Sequence, residues 1–130
     1  KRWINQAEHD LDAAQWLVQG SFFADACFKV QQFAEKALKE FYYYQGERQV
    51  IGHSTHDLVL RCQNYREDFR NLLTYCNLLD RHYIPSRYPN GLPGGVPHDV
   101  YDQSTADQAI VAAQTILNFV KDNLQQAQKA

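Results

Sequence analysis

The chain has 130 residues, contains no methionine and carries a formal net charge of -2 at pH 7. This near-neutral charge excludes a nonspecific duplex-DNA binder, which needs a strongly basic surface. Three scattered cysteines without a C-x-x-C spacing indicate buried free thiols, not a disulfide scaffold or a zinc knuckle. No apolar run reaches the length of about 18 residues that a membrane span needs, and the polar first ten residues do not resemble a signal peptide. Because free thiols are typical of a reducing compartment, we expect a cytoplasmic protein. A chain that starts at Lys1 without methionine is expected to be a piece of a longer protein.

Two amphipathic helices are predicted in the first half of the chain. The first covers residues 2–19, ends at Gly20, and leaves Ser21 to cap the next helix. Its apolar stripe consists of Trp3, Ala7, Leu11, Ala14 and Val18. The second covers residues 22–45, stops at Gly46 and is expected to be the spine of the fold. Its apolar arc consists of Val30, Ala34, Ala37, Leu38 and Phe41.

Three more helices are predicted in the second half. Ser54 and Asp57 form a capping box, so a short third helix begins near Thr55. A fourth helix is marked by Phe69, Leu72, Leu73, Cys76, Leu79 and Tyr83. Ser104 and Asp107 form a second capping box that opens a last helix. Its core face is Ala106, Ala109, Ile110, Ala113, Leu117, Val120 and Leu124. With no strand alternation, the pattern predicts a single all-α domain over residues 1–130, an up-and-down bundle of about five helices.

Residues 79–101 differ from the rest because they contain all four prolines and three of the six glycines. Proline fixes φ and lacks an N–H, so this segment is predicted to be a long Pro-rich loop before the last helix. Long loops within a compact domain are usually functional or disordered. The arginines, histidines and tyrosines of this segment suit an anionic, partly aromatic ligand such as a nucleotide.

Polar residues on the second helix point to a site beneath this loop. Gln31 falls inside the apolar arc, and Glu35 lies at its edge, so both are expected to be at least half buried. A buried carboxylate needs a cation, and Arg87 of the loop is our candidate for Glu35. Either this pair pins the loop to the bundle, or Arg87 remains partly free to bind phosphate.

The helical wheel places Lys36 and Lys39 on the solvent side of the same helix, with Lys29, Gln32 and Tyr43. This side is either a plain solvated face or an interface with a basic rim, in which Lys36 and Lys39 face phosphate.

Polar residues also occur at the ends of the third and fourth helices. Asp80 is unfavourable in the last turn of a helix, which indicates a polar pocket with Arg81 and Tyr83, or a salt-bridge partner. His53 and His56 fit capping and hydrogen bonding better than a metal site, because a third ligand at suitable spacing is missing.

Several segments resemble the HEPN family (higher eukaryotes and prokaryotes nucleotide-binding). The likeness covers A-x-x-D-L-x-x-A at residues 7–14, ADACFKVQQFAEKALKEF at 24–41, GHS at 52–54, LDRHYIPSRYPNG at 79–91 and A-I-x-x-A-x-x-I-L-x-F-V at 109–120. The RYP loop is similar to that of small prokaryotic HEPN proteins and of the sacsin C-terminal domain. The resemblance implies a helical bundle that forms a homodimer and binds nucleotide beside a minimal nucleotidyltransferase.

Many HEPN proteins are metal-independent ribonucleases with an Arg-x(4 to 6)-His motif. Two bare matches, Arg48 with His53 and Arg2 with His9, lie early in the chain, whereas the family motif lies near the final helices. Arg87 and His98 do lie there, but ten residues separate them. We therefore expect no catalytic residue. RNA is expected as a partner only if the loop folds back on itself or a dimer brings one subunit's His98 beside the other's Arg87.

The leading hypothesis is a nucleotide-binding and dimerisation module of the toxin-antitoxin type, partnered by a nucleotidyltransferase. Arg87, Arg81, Lys36 and Lys39 would contact phosphate, and Tyr83 or Tyr88 would stack on the base. No cofactor or metal is expected beyond a bound nucleotide such as ATP or GTP. The alternatives are a HEPN-type endoribonuclease and a pure protein-interaction scaffold.

Overall fold

In a computed structural model, residues 2–48, 54–82 and 101–129 are described, and within them the chain forms five α-helices and one 3₁₀ helix. The elements are α1 (Arg2–Gln19), α2 (Phe23–Tyr44), α3 (Thr55–Gln63), the 3₁₀ helix (Glu67–Leu72), α4 (Leu73–Asp80) and α5 (Gln103–Lys129). These ranges contain no β-strand, and the predicted all-α bundle is confirmed. None of the described helices is both long and apolar enough to span a membrane. Most of the predicted Pro-rich loop lies outside the described residues.

The helix α2 occupies the centre of the bundle, as its length and apolar arc predicted. It packs against α1, α3, α4 and α5. Its buried side chains include Val30, Phe33, Ala34, Ala37 and Leu38, none of which is exposed to solvent. Because α2 has apolar side chains on several sides, it is stable only when other helices pack against each of these sides.

Three phenylalanines connect this central helix to the second half of the chain. The rings of Phe41 and Phe69 have centroids 4.3 Å apart, and those of Phe69 and Phe119 are 5.0 Å apart in an edge-to-face arrangement. Phe69 belongs to the 3₁₀ helix and has no exposed surface. The predicted fourth helix is therefore split into the 3₁₀ helix and α4. Of its predicted apolar face, Phe69, Leu72, Cys76 and Leu79 are buried as expected.

The connection between α1 and α2 corrects the predicted cap. Ser21 adopts a left-handed φ of 66°, its N–H donates to Val18 O at 3.0 Å, and the N–H of Phe22 donates to Leu17 O at 2.8 Å. This is a Schellman ending of α1. Because an N-cap residue needs a different backbone conformation, Ser21 does not cap α2, whose N-cap is Phe22 without a side-chain hydrogen bond.

The other predicted helix ends have mixed outcomes. Ser54 caps α3 as expected, with its Oγ accepting from the N–H of Asp57 at 3.1 Å. The last helix begins earlier than Ser104 predicted, because the Asp102 carboxylate accepts from the N–H of Thr105 at 2.8 Å. That backbone hydrogen bond, with one from the Thr105 hydroxyl, lowers the pKa of Asp102. Gly46 ends α2 with a φ of 97°, which favours glycine.

Candidate functional site

A carboxylate at the end of α4 caps the beginning of α3. Asp80 accepts hydrogen bonds from Thr55 N at 2.9 Å and His56 N at 3.0 Å. It also accepts from Ser54 Oγ at 3.0 Å and Thr55 Oγ1 at 2.6 Å. The position of Asp80 is unfavourable for its own helix, but the N-terminal N–H groups of the neighbouring helix stabilise the charge.

His56 is held by the same pair of helices. Its Nδ1 lies 2.6 Å from Asn77 Oδ1, and because an amide oxygen only accepts, this ring nitrogen donates. His53 lies outside the described residues, as do Tyr83, Arg87 and Tyr88. In the part of the chain that the structure describes, no group of three or more His, Cys, Asp or Glu residues has the arrangement of a metal site.

A second polar cluster lies where α1 crosses α2. Asp10 is 1% exposed, and its carboxylate is 2.5 Å from Lys36 Nζ and 3.6 Å from Lys29 Nζ. Gln6 Nε2 donates to the same carboxylate at 3.0 Å. Burial raises the pKa of Asp10, but the hydrogen bonds from Lys36 and Gln6 and the two lysine charges outweigh burial and lower it overall.

The sequence reasoning did not select Asp10 as a site residue, although a signal was present. Asp10 lies between Ala7 and Ala14 at helical spacing, so it occupies the apolar stripe of α1. A carboxylate in such a stripe has to find a partner on the neighbouring helix. Here that partner is Lys36.

The second buried carboxylate of this region is Glu35. Its Oε2 is 2.6 Å from Lys39 Nζ one turn later on α2, and the two side chains are 8% and 15% exposed. Gln31 is fully buried, so the expected burial of both polar groups is confirmed. Arg87, the cation that the sequence suggested for Glu35, lies outside the described residues. Lys39 is the cation that the described residues place beside it.

These contacts correct the prediction that the lysines occupy the solvent side of α2. Lys36 is 28% exposed and Lys39 is 15% exposed, and Gln32 and Tyr43 are also half buried. The helical wheel described α2 alone, whereas α1 places Asp10 against this side of the helix. We call Lys29, Gln32, Glu35, Lys36 and Lys39 the α2 polar face.

Arg81 and His82 follow α4 directly. Arg81 is exposed, and no described contact joins it to the lysines of the α2 polar face. His82 Nδ1 lies 3.2 Å from Tyr101 Oη, and the two rings meet edge to face. Burial lowers the pKa of His82, and the charge of Arg81 lowers it further.

The three cysteines are free and buried, as expected from their spacing. Burial raises the pKa of Cys27, Cys62 and Cys76 to about 12, so these thiols are protonated at neutral pH. A protonated thiol is a poor nucleophile. The three cysteines therefore contribute no reactive thiolate to the candidate site.

Comparison with known proteins gives matches along most of the chain. The sequence profile described as "HEPN domain" matches residues 1–123. The chain is 26% identical over 134 residues to "Putative toxin MJ1304" of Methanocaldococcus jannaschii, covering 97% of this chain and 88% of that protein.

Two solved structures are similar in both sequence and fold. The crystal structure of TT1696 from Thermus thermophilus has a TM-score of 0.83 and 37% identity, covering 93% of this chain and 94% of the other. The structure of ST0689, described as an archaeal HEPN homologue, has a TM-score of 0.76 and 38% identity, covering 94% of each chain.

Proposed function

The chain belongs to the HEPN family, and from this membership we propose that it is a nucleotide-binding and dimerisation module of the toxin-antitoxin type. Its partner would be a minimal nucleotidyltransferase. The similarity to a protein named as a putative toxin supports the toxin-antitoxin setting. Two further observations on the α2 polar face support the choice of ligand.

The first observation, which carries the proposal, is the arrangement of the lysines. Lys29, Lys36 and Lys39 lie on one side of α2 and are held by the two buried carboxylates of Asp10 and Glu35. Three ammonium groups on one side of a helix present N–H donors of the kind that phosphate oxygens accept from.

The second observation is that the ammonium groups have donors to spare. An ammonium has three N–H donors, and the described hydrogen bonds use one from Lys36 and one from Lys39. Their stems are half buried, so less side-chain entropy is lost when they bind a ligand than for freely moving lysines. Lys29 is 39% exposed and lies farther from Asp10, which makes it the most accessible of the three.

In the proposed complex, Lys36 and Lys39 contact phosphate together with Arg81 and Arg87. Tyr83 or Tyr88 stacks on the base. Arg87 and both tyrosines lie outside the described residues, so their roles rest on the sequence resemblance. Glu35 and Asp10 position the lysines and do not contact the ligand.

Isothermal titration with ATP and with GTP tests the proposal. We expect binding with a Kd at or below about 0.1 mM, and we expect Lys36→Gln to weaken it about tenfold, since loss of one charge-assisted hydrogen bond costs about 1.5 kcal/mol. The control is Lys121→Gln on α5, because Lys121 is also partly exposed and ion-paired, 3.5 Å from Glu8. Absence of binding heat with both nucleotides would contradict the proposal. An equal loss of nucleotide affinity in Lys36→Gln and Lys121→Gln would contradict it as well.

A further inference from the structure

Two large aromatic side chains are exposed side by side where α1 turns into α2. Trp16 is 74% exposed, the highest value among the large apolar side chains that the structure describes, and Phe22 is 50% exposed. Both line one open groove of about 780 Å³, together with Ala13, Leu17 and Phe28. Two large aromatic side chains exposed in one groove make this surface a candidate interaction site. We call it the Trp16 groove.

The groove is built on a fixed turn. The Schellman hydrogen bonds hold Ser21 and Phe22 in place, and a Cβ on Gly20 would lie 3.0 Å from the Phe22 ring. The ring therefore packs on the glycine. An aromatic group held in this way loses little entropy when a partner covers it.

The charges around the groove have both signs. Asp12 and Asp25 contribute carboxylates, and Lys29 contributes an ammonium. In a two-fold symmetric interface the same patch occurs on both sides, so it has to be complementary to itself. A rim with both signs meets this condition, because the lysine of one copy pairs with a carboxylate of the other. A rim of one sign would repel its own copy.

The apolar area is sufficient for the centre of such an interface. Aromatic side chains bury up to about 250 Å² each, so at the observed exposures Trp16 and Phe22 present roughly 250–300 Å² together. A stable interface buries about 800 Å² on each partner. The two rings thus supply about a third of one side, in agreement with an aromatic hot spot surrounded by a polar rim.

We propose that the Trp16 groove is the surface through which two copies of this chain associate. The inference rests on the dimer of the proposed function and identifies its face. Lys29 belongs to both the groove and the α2 polar face. A dimer formed here therefore places the nucleotide sites of the two copies next to the interface.

Sedimentation equilibrium of the purified chain, from about 1 μM to about 1 mM, tests the proposal with Trp16→Glu as the variant. We expect a dimer for the unmodified chain and a dimer Kd at least about thirtyfold higher in the variant, as for a hot-spot residue. Val111→Glu is the matched control, because Val111 is 62% exposed on α5 and does not line the groove. Its dimer should be unchanged. Phe22→Ser is a second variant that should also weaken the dimer, and circular dichroism checks that each variant is folded.

A monomeric unmodified chain, or a Trp16→Glu variant that is folded and fully dimeric, would overturn the proposal. An equal rise of the dimer Kd in Val111→Glu would overturn it as well, because the weakening of the dimer would then not be specific to the Trp16 groove. Two differently tagged copies provide a direct readout: unmodified copies should capture each other, and Trp16→Glu copies should not. ATP titration in parallel separates the proposals. A monomer that binds ATP contradicts the dimer and its face but not the nucleotide site, and a dimer without nucleotide heat contradicts only the nucleotide site. A Trp16→Glu variant that stays dimeric contradicts only the assigned face.

Discussion

The contact between Asp80 and the start of α3 can be tested by replacing Asp80 with alanine. The carboxylate accepts four hydrogen bonds from Ser54, Thr55 and His56, including those from the first two N–H groups of α3. Alanine removes all four acceptor contacts. The two backbone N–H groups then lose their protein partner at the positive end of a helix.

The expected cost follows from these bonds. A hydrogen bond to a charged group contributes about 1.5–3 kcal/mol and loss of a helix cap costs about 0.5–2 kcal/mol. The bonds share one carboxylate that water partly reaches, so they do not add, and we expect a loss of about 3 kcal/mol in the free energy of unfolding. With about 2.1 cal/mol/K of unfolding entropy per residue, a chain of 130 residues should lose about 11 °C in Tm.

Urea and thermal unfolding followed by circular dichroism measure this loss. The free energy of unfolding of Asp80→Asn should lie between those of Asp80→Ala and the unmodified protein. Asparagine retains one acceptor oxygen, but its amide group turns a donor towards the donors of α3. Asp122→Ala is the control, since Asp122 is exposed on α5, and it should stay within about 0.5 kcal/mol. An Asp80→Ala loss below about 1 kcal/mol would refute the proposed capping role.

Three further predictions concern pH and packing. The pKa of Asp10 is lowered from its ordinary value of 3.8, so its contribution to stability is present above pH 3.8 and is lost as the pH falls towards the folded pKa. Asp10→Asn should therefore flatten the pH dependence of the free energy of unfolding below pH 3.8. The pKa of His82 is also lowered, so stability should fall as the pH drops below 6.5, and His82→Gln should remove this slope in urea unfolding at pH 7 and pH 5. Phe69→Ala should cost about 3–5 kcal/mol in urea unfolding, because the buried ring contacts Phe41 and Phe119; unchanged stability would contradict the assigned packing.

Most of the fold could be read from periodicity. The bounds of α1 and α2 differ from their predictions by at most one residue, because each helix has a clear apolar face and a glycine near its end. The start of α3 was predicted from Ser54 and Asp57, since a capping box acts locally. The caps of α2 and α5 were wrong, because Ser21 closes the preceding helix and Asp102 was available before Ser104.

The candidate site was predicted less completely. The burial of Gln31 and Glu35 followed from their positions on the wheel of α2. The lysines share one side of α2 as expected, but Lys36 and Lys39 are more buried than a solvent face would be. A wheel treats a helix as isolated, and the effect of α1 is not contained in the periodicity of α2. Asp10 was not selected, although its place in the apolar stripe of α1 predicts a partner on a neighbouring helix.

Residue spacing along the chain was sufficient to predict most of the helices and their apolar faces, and local motifs indicated the family. Tertiary structure decided where the charges go. It brought Asp10 of α1 to Lys36 of α2, and Asp80 of α4 to the N-terminus of α3, over separations of 26 and 25 residues. The reason is physical: apolar burial has no direction and can be predicted from pattern, whereas an ion pair or a cap requires two specific groups within about 3 Å of each other.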